Sequence, residues 1–278
     1  LLNKKSRNST VIKFKNDVPY ISYKAMDEIP WLTHGFSTRL GGVSQGVLSS
    51  MNLGFGRGDL EENVVNNHKI IANAIGFESK NIVCSKQTHT TNVAVVGKEF
   101  KGNGIYKENC FTDIDGMITN EKNVVLATYF ADCVPLYMVD VKNKAIGLAH
   151  SGWRGTVGKI GACNLKKMKE NYGTDSKDVI ACIGPSICMS CYEISEDVAN
   201  EFKMAFPDNI DNILLNKGNG KYMLDLWECN RIVFRECGVL EENIHLPDIC
   251  TCCNDKMLFS HRATNGKRGN LAAFLEIK

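Results

Sequence analysis

The segment 129–155, YFADCVPLYMVDVKNKAIGLAHSGWRG, contains two apolar runs that are separated by the polar sequence VKNK at 141–144. This pattern is typical of two antiparallel strands joined by a tight turn. A turn centred on that polar sequence sets a register in which Pro135 lies opposite His150. Strands that are ~4.8 Å apart and rise ~3.3 Å per residue then bring Cys133 within roughly 10 Å of His150. We therefore expect a cysteine and a histidine to converge at one end of this hairpin.

The loop that follows the hairpin, SGWRG at 151–155, leads to a predicted helix start near Thr156. The free N–H groups at the start of a helix favour an anion. The sequence therefore predicts a phosphate-binding site at the same sheet edge.

The rest of the chain alternates between β-rich and helical patterns. Runs of β-forming residues predict strands at 11–23, 31–36, 83–85, 93–96, 124–129, 136–139, 145–148, 179–183 and 271–277. Helical spacing and terminal glycines or caps predict helices at 61–75, 157–171, 195–206 and 226–237. Hairpins and helices mix without a regular βαβ alternation, which favours an α+β sandwich. Without repeats or linkers, a single domain over 1–278 is the simpler interpretation.

Composition limits the class of protein. The chain has 278 residues, 44% of them hydrophobic, and a formal net charge of +2, so a large core is expected and a nucleic-acid partner is not. No apolar run reaches the ~18 residues of a membrane span, and the opening lacks the apolar region of a signal peptide. We expect a soluble cytoplasmic protein with reduced thiols among its twelve cysteines, and disorder only in the first ten residues.

A third candidate donor is His89, which lies in the polar sequence SKQTHTTNV between two predicted strands. Together, His89, Cys133 and His150 are a suitable ligand set for catalytic zinc, because three protein ligands leave the fourth tetrahedral position open. Their spacing matches no compact zinc motif. From the residues alone, a buried thiol, a hydrogen-bonded strand-end histidine and an ordinary loop histidine remain the alternative.

Two CxxC pairs form a second candidate metal group. They are Cys188 with Cys191 and Cys250 with Cys253, and Cys252 lies inside the second pair. Four cysteines in this pattern suggest a structural zinc site. However, 58 residues separate the pairs and neither lies on an obvious zinc-ribbon knuckle, so an ordinary role for these thiols is the favoured interpretation.

Eight motifs resemble the YfiH/laccase-domain family, formerly grouped as multicopper polyphenol oxidases. In chain order from residue 34 they are HGFSTRLGGVSQGVLSSMNLG, KQTHT, DIDGMIT, ADCVP, AHSGWRG, CIGPSIC, CYEI and FSHR. The resemblance implies zinc bound by His89, Cys133 and His150, and packed mixed sheets flanked by helices as an α/β/β/α sandwich. It also implies phosphorolysis of adenosine, inosine and S-methyl-5'-thioadenosine to the base and ribose 1-phosphate, with adenosine deaminase activity. The copper-oxidase description is disfavoured, because laccases need several coppers and many more histidines.

Phosphorolysis requires cationic groups that hold phosphate, and arginine forks suit that task. Our first choice is Arg39 in STRLGG, followed by Arg154 in GWRG and Arg57 in FGRGD. For ribose or base we expect hydrogen bonds from Asn52 and Gln87. Each of these residues has an ordinary structural role as its alternative.

For two aspartates and one tryptophan the sequence leaves more than one role open. Asp115 and Asp132 are candidate proton shuttles, with a turn role or a partnership with a ligand histidine as the alternatives. Trp153 is a candidate for stacking on a purine or for the core. The resemblance implies that the FSHR segment shapes the site, but Ala263 stands where that family more usually has a second arginine.

Other functions compete with nucleoside chemistry. A metal-free hydrolase would use Cys133 as nucleophile and His150 as base. A peptidoglycan-precursor editing factor would act on, or bind, a cell-wall intermediate. Zinc is the expected metal, copper binding in vitro is compatible with the donors, and either a monomer or a homodimer is compatible with the sequence.

Overall fold

Two six-stranded mixed sheets form the centre of the computed structural model, which describes residues 9–278. The strands are β1 Thr10–Lys15, β2 Val18–Tyr23, β3 Leu32–Ser37, β4 Ile82–Cys84, β5 Val93–Val95, β6 Gly116–Thr119, β7 Val125–Phe130, β8 Val134–Asp140, β9 Ala145–Ser151, β10 Val179–Ile183, β11 Glu193–Ser195, β12 Leu214–Gly218, β13 Lys221–Leu224, β14 Ile244–His245 and β15 Leu271–Ile277. The α-helices are α1 Lys24–Asp27, α2 Glu61–Ile75, α3 Trp153–Val157, α4 Ile160–Tyr172, α5 Glu196–Ala205, α6 Ile210–Ile213 and α7 Leu226–Glu236. The expected disorder of the first ten residues concerns a segment of which 1–8 lie outside the described part.

The sheets stack in the predicted order of layers. Sheet 1 has the order β1-β2-β3-β15-β7-β4, and sheet 2 has the order β14-β10-β8-β9-β6-β5. One apolar cluster lies between the two sheets, a second packs α2 against sheet 1, and a third packs α4 and α7 against sheet 2. This is an α/β/β/α arrangement, so the predicted α+β fold with packed mixed sheets is confirmed. A small sheet 3, β11-β13-β12, adjoins the third cluster.

The central hairpin has the predicted register. Strands β8 and β9 pair antiparallel with Pro135 opposite His150. The Asp140 carboxylate holds the turn, since its Oδ1 accepts hydrogen bonds from the backbone N–H groups of Lys142 and Asn143 at 3.0 and 2.9 Å. Cys133 directly precedes β8 and therefore lies at the end of the hairpin that carries His150.

The helix predictions differ in accuracy. The range 61–75 is confirmed for α2, which ends before Gly76, whose φ of 103° only glycine adopts readily. The predicted helix 157–171 corresponds to α4, which begins three residues later because Lys159 takes a left-handed φ of 56° between α3 and α4. The helix start is Trp153 rather than Thr156, whose hydroxyl instead donates to the carbonyl of Gly152 inside α3.

Two hairpins were not resolved by the sequence patterns. The predicted strand 11–23 is a hairpin of β1 and β2, because Asn16 and Asp17 have φ values of 50° and 63° and form the turn between them. The β12–β13 hairpin was missed, since β12 is largely exposed and neither strand has an apolar alternation. Within the described residues, no α-helix has both the length and the apolar character required to cross a membrane.

Candidate active site

Three side chains from three different segments converge at the open end of the β8–β9 hairpin. Ligand atoms of His89, Cys133 and His150 lie within 4.8 Å of one another. The sulfur of Cys133 is 3.9 Å from Nε2 of His89, and the two imidazole rings meet edge to face at 4.8 Å between centroids. His150 is buried while His89 is exposed, so the group extends from the core to the protein surface. The three residues proposed from the sequence are therefore brought together.

The Asp115 carboxylate positions both His89 and His150. This fully buried carboxylate accepts a hydrogen bond from Nδ1 of His150 at 2.7 Å and one from the backbone N–H of His89 at 3.1 Å. Its second oxygen accepts backbone bonds from Thr88 and Thr90. With Nδ1 of His150 committed to Asp115, Nε2 is the nitrogen that is free to bind a ligand. Of the roles left open for Asp115, the structure supports that of partner to a ligand histidine.

Mutual polarisation shifts the pKa values of this group. Burial alone would raise the pKa of the Cys133 thiol, but the adjacent His150 and His89 outweigh it and lower the pKa to about 6. Burial alone would lower the pKa of His150, but Cys133 and the Asp115 hydrogen bond raise it to about 9. Burial opposes ionisation of Asp115 too, yet its hydrogen bonds lower that pKa to about 2. The site therefore favours a thiolate, which is the form of cysteine that binds metals and attacks electrophiles.

A glycine makes the convergence sterically feasible. A Cβ atom at Gly152 would lie 2.5 Å from Cδ2 of His89 and 3.3 Å from the sulfur of Cys133. No side chain can occupy that space while His89 keeps its position. Gly152 is therefore required by the packing of the site rather than by its own backbone angles.

The three donors open onto a cleft with a volume of about 420 Å³. This size is within the range of small-molecule sites, roughly 300–1,000 Å³. Both aromatic and polar side chains line it, among them Phe55, Gln87, Tyr129 and Phe130. The donors thus lie in the wall of a space that can accept an organic ligand.

The donor set fits a bound metal ion. Bonds of about 2.0–2.3 Å to nitrogen and sulfur place tetrahedral donors about 3.3–3.8 Å apart, so the observed separations need only a small contraction. One thiolate and two imidazoles suit zinc and also copper. With three protein ligands and an adjacent cleft, the fourth position is accessible to water or substrate.

Two residues predicted to bind substrate do not line the cleft. The Arg39 guanidinium donates to the carbonyls of Ser49 and Asp255 and stacks on Phe259. The fully buried Asn52 accepts backbone hydrogen bonds from Gly54 and Asn270 through its Oδ1. In this structure both side chains hold loops in place.

Of the other two residues predicted to bind substrate, one lines the cleft and one does not. Gln87 lines the cleft, where its amide exchanges hydrogen bonds with the backbone of Tyr129 at 2.8 and 3.0 Å. Arg154 is exposed and its guanidinium lies 4.2 Å from the centre of the Trp153 ring, outside the cleft lining. Of the roles left open for Trp153, the structure supports packing against the core, and Arg154 stacks on its ring.

Two arginines do line the cleft. Arg57 was the third choice from the sequence, whereas Arg268 was not considered. Burial and the charge of Arg57 lower the pKa of Arg268 to about 10. Among residues 9–278, neither guanidinium forms an ion pair, and Nε of Arg268 is buried without a hydrogen-bond partner. The only sequence signal for Arg268 is its position in a polar turn just before β15.

Asp132 has a structural position beside the donors. It adopts a φ of 87°, and its carboxylate accepts hydrogen bonds from the Thr251 hydroxyl and the Arg262 backbone N–H, both at 2.7 Å. These contacts occupy the two carboxylate oxygens. Of the roles left open for Asp132, the structure supports that of a turn residue that positions Cys133.

The chain is similar to known proteins along most of its length. The family model described as "Multi-copper polyphenol oxidoreductase laccase" matches residues 33–278. A Bacillus subtilis protein named purine nucleoside phosphorylase YlmD is 36% identical over 245 residues, which cover 88% of each chain. A Bacteroides thetaiotaomicron protein named purine nucleoside phosphorylase is 31% identical over 268 residues, covering 96% of this chain and 99% of the relative.

Solved structures agree with these relatives. The crystal structure of YlmD from Geobacillus stearothermophilus superposes with a TM-score of 0.91 at 31% identity, covering 97% of this chain and 99% of that one. The hypothetical protein YfiH from Bacillus licheniformis gives a TM-score of 0.90 at 29% identity, covering 96% and 99%. With a family match over most of the sequence and relatives above 30% identity along nearly their whole length, the chain belongs to the multi-copper polyphenol oxidoreductase laccase family, the YfiH/YlmD group.

Proposed function

We propose that this chain is a purine nucleoside phosphorylase whose metal is held by His89, Cys133 and His150. The observation that carries the proposal is the cleft, whose wall contains this donor group together with Arg57 and Arg268. Within residues 9–278 neither arginine forms a salt bridge, although the charge of Asp132 acts to raise the pKa of Arg268, and such a cation pair can bind an anion. The names of the relatives supply the reaction class that uses such an anion together with a nucleoside.

The arginines bind and orient phosphate in this proposal. In phosphorolysis a phosphate oxygen attacks the anomeric carbon of the ribose, the carbon–nitrogen bond breaks, and its electron pair leaves with the base, which takes up a proton. Arg57 and Arg268 replace the water that surrounds phosphate in solution and hold its oxygens towards the ribose. Phe55, Tyr129 and Phe130 supply the apolar wall for the purine.

Zinc is the metal that we propose for the donor group. When bound, it supplies a Lewis acid that can lower the pKa of a coordinated water towards ~7, the chemistry required for deamination of adenosine. Asp115 fixes the orientation of His150 for this purpose. We extend the proposal to adenosine, inosine and S-methyl-5'-thioadenosine as substrates, to a secondary adenosine deaminase activity, and to a cytoplasmic monomer or homodimer.

The test is chromatographic analysis of adenosine after incubation with the purified protein, with and without phosphate. Adenine and ribose 1-phosphate are expected only when phosphate is present, whereas inosine is expected in either condition. The Cys133→Ala variant is expected to lose both products together with one metal equivalent. Unchanged turnover in that variant, or release of adenine without phosphate, would contradict the proposal.

A metal-free hydrolase is the second candidate, and one observation favours it. The lowered pKa of Cys133, with the raised pKa of His150, is the pattern of a thiolate–imidazolium pair. Full activity in excess chelator, together with covalent trapping of Cys133 by an iodoacetamide probe and the resulting inactivation, would select this function over the metal-dependent one.

A further inference from the structure

The two CxxC pairs meet although 58 residues separate them in the sequence. The first pair follows β10 and the second follows β14, and these strands are parallel neighbours in sheet 2. Parallel neighbours end at the same sheet edge, and an isolated bridge between Ser186 and Cys250 continues their pairing beyond the strands. The topology therefore brings together the two pairs whose CxxC spacing suggested a metal site.

The four sulfurs have the spacing of a metal site. Ligand atoms of Cys188, Cys191, Cys250 and Cys253 all lie within 4.8 Å of one another. The sulfur of Cys253 is 3.9 Å from that of Cys188 and 3.4 Å from that of Cys191. Four thiolates bound tetrahedrally to zinc at ~2.3 Å would lie about 3.8 Å apart. The sulfurs thus already occupy a cage of nearly the required size.

Backbone groups support thiolates in this cluster. The sulfur of Cys250 accepts hydrogen bonds from the backbone N–H groups of Cys188 and Cys253, at 3.2 and 3.4 Å. Such bonds stabilise negative charge on sulfur and orient ligands around a metal. The cluster also ranges from the buried Cys250 to the exposed Cys253, so a metal ion can reach it from solvent.

We propose that Cys188, Cys191, Cys250 and Cys253 form a second metal site, a structural zinc centre with four thiolate ligands. Four protein ligands leave no open position, which distinguishes this site from the three-ligand group in the cleft. Its function is to join the loop after β10 to the loop after β14.

The joined loops both hold the residue that precedes Cys133. Ile187, next to Cys188, donates its backbone N–H to the carbonyl of Asp132 at 3.0 Å. Thr251, next to Cys250, donates its hydroxyl to the Asp132 carboxylate at 2.7 Å. Strand β8 is antiparallel to β10, so its first residues lie at this same edge. The zinc centre therefore positions the turn that presents Cys133 to the cleft.

Metal analysis in a Cys133→Ala background tests the site independently of the proposed function, because that substitution removes a ligand of the cleft group. The protein is purified under reducing conditions and its zinc is measured by mass spectrometry. One zinc equivalent per chain is expected to remain in Cys133→Ala, and to be lost when Cys191→Ser is added. Cobalt substitution of Cys133→Ala should give the intense sulfur-to-metal charge-transfer absorption of a tetrathiolate site.

A matched control uses the fifth cysteine of the region. The substitution Cys252→Ser leaves the four proposed ligands intact and is expected to retain the zinc equivalent and the cobalt spectrum. Absence of metal from Cys133→Ala, loss of the metal on Cys252→Ser, or a disulfide between Cys191 and Cys253 in the isolated protein would each overturn the proposal. The cobalt spectrum requires no catalytic turnover, so failure of the proposed function leaves this test valid.

Discussion

The two sulfur-containing clusters of this protein differ in what surrounds their donor atoms. In the cleft, one thiol and two imidazoles face a space of about 420 Å³, and a buried carboxylate orients the histidines. At the edge of sheet 2, four thiols face one another and receive backbone N–H bonds. An incomplete ligand set beside a cleft is suited to chemistry, whereas a complete set between two loops is suited to stability.

The largest effect that separates the clusters is expected in thermal stability. Loss of a tightly bound ion from Cys191→Ser should remove about 4 kcal/mol, which corresponds to a decrease in Tm of roughly 8 °C or more. Cys133→Ala should shift Tm less, because hydrogen bonds to the buried Asp115 hold His89 and His150 in place without the metal. Thermal denaturation followed by circular dichroism measures both, with Cys252→Ser as the control. Equal shifts in the two variants would contradict the division into structural and catalytic sites.

Crowding at the cleft should have the next largest effect. A methyl group at position 152 would contact His89 and Cys133, so Gly152→Ala should displace these donors and lower kcat/KM by about 100-fold or more. Gly155→Ala is the matched control in α3, since a Cβ there has no neighbour closer than 3.4 Å. Steady-state kinetics of nucleoside phosphorolysis provides the measurement, and similar activity in both variants would show that the space beside His89 is not critical.

Removing the negative charge of Asp115 should have a somewhat smaller effect. Asp115→Asn keeps the size of the side chain but deprives His150 of its anionic partner, so metal affinity and activity should fall about 10–100-fold. Competition with a chromogenic chelator measures the affinity. The nearby exposed Asp113 accepts a hydrogen bond from the Thr88 hydroxyl and touches neither ligand histidine, so Asp113→Asn is the control. Equal loss in both variants would reject a specific role of Asp115.

Loss of one phosphate-binding arginine should change substrate affinity rather than metal content. Arg268→Gln removes a charge-assisted contact of about 1.5–3 kcal/mol and should raise the KM for phosphate at least about 10-fold. Arg154→Gln, outside the cleft, should leave that KM nearly unchanged. Initial rates over a range of phosphate concentrations decide the matter. A larger effect at Arg154 would instead place the phosphate site at the loop 151–155, where the sequence analysis predicted anion binding.

The smallest effect concerns Glu276 in β15, which belongs to neither cluster and provides a reference for buried charge. Burial raises its pKa from 4.5 to about 7, so its stabilising contribution is complete below about pH 4.5 and is lost as pH rises through 7. Glu276→Gln should therefore be more stable than the wild type by about 1 kcal/mol at pH 8 and nearly equal to it at pH 4.5. Urea denaturation at both pH values is the measurement. A benefit that is greater at low pH would show that the sign is wrong.

Local patterns predicted those features that depend on neighbours in the sequence. The bounds of α2, the turn at 141–144 and the pairing of Pro135 with His150 follow from periodicity and strand geometry. Patterns failed where a single residue interrupts an element. The left-handed Lys159 separates α3 from α4 and moves the start of the helix predicted from residue 157 to Ile160, and lysine carries no signal for that conformation.

The sequence by itself determined the α+β class and the proximity of two candidate donors, because a hairpin places Cys133 near His150 whatever the rest of the chain does. Only the tertiary structure decided which arginines reach the cleft. Arg39 and Arg268 both lie in loops, yet packing directs the first to backbone carbonyls and places the second in the cleft wall. The CxxC spacing suggested each pair of cysteines as metal ligands, but only the tertiary structure decided that the two pairs meet, since the pairing of two parallel strands is a long-range contact.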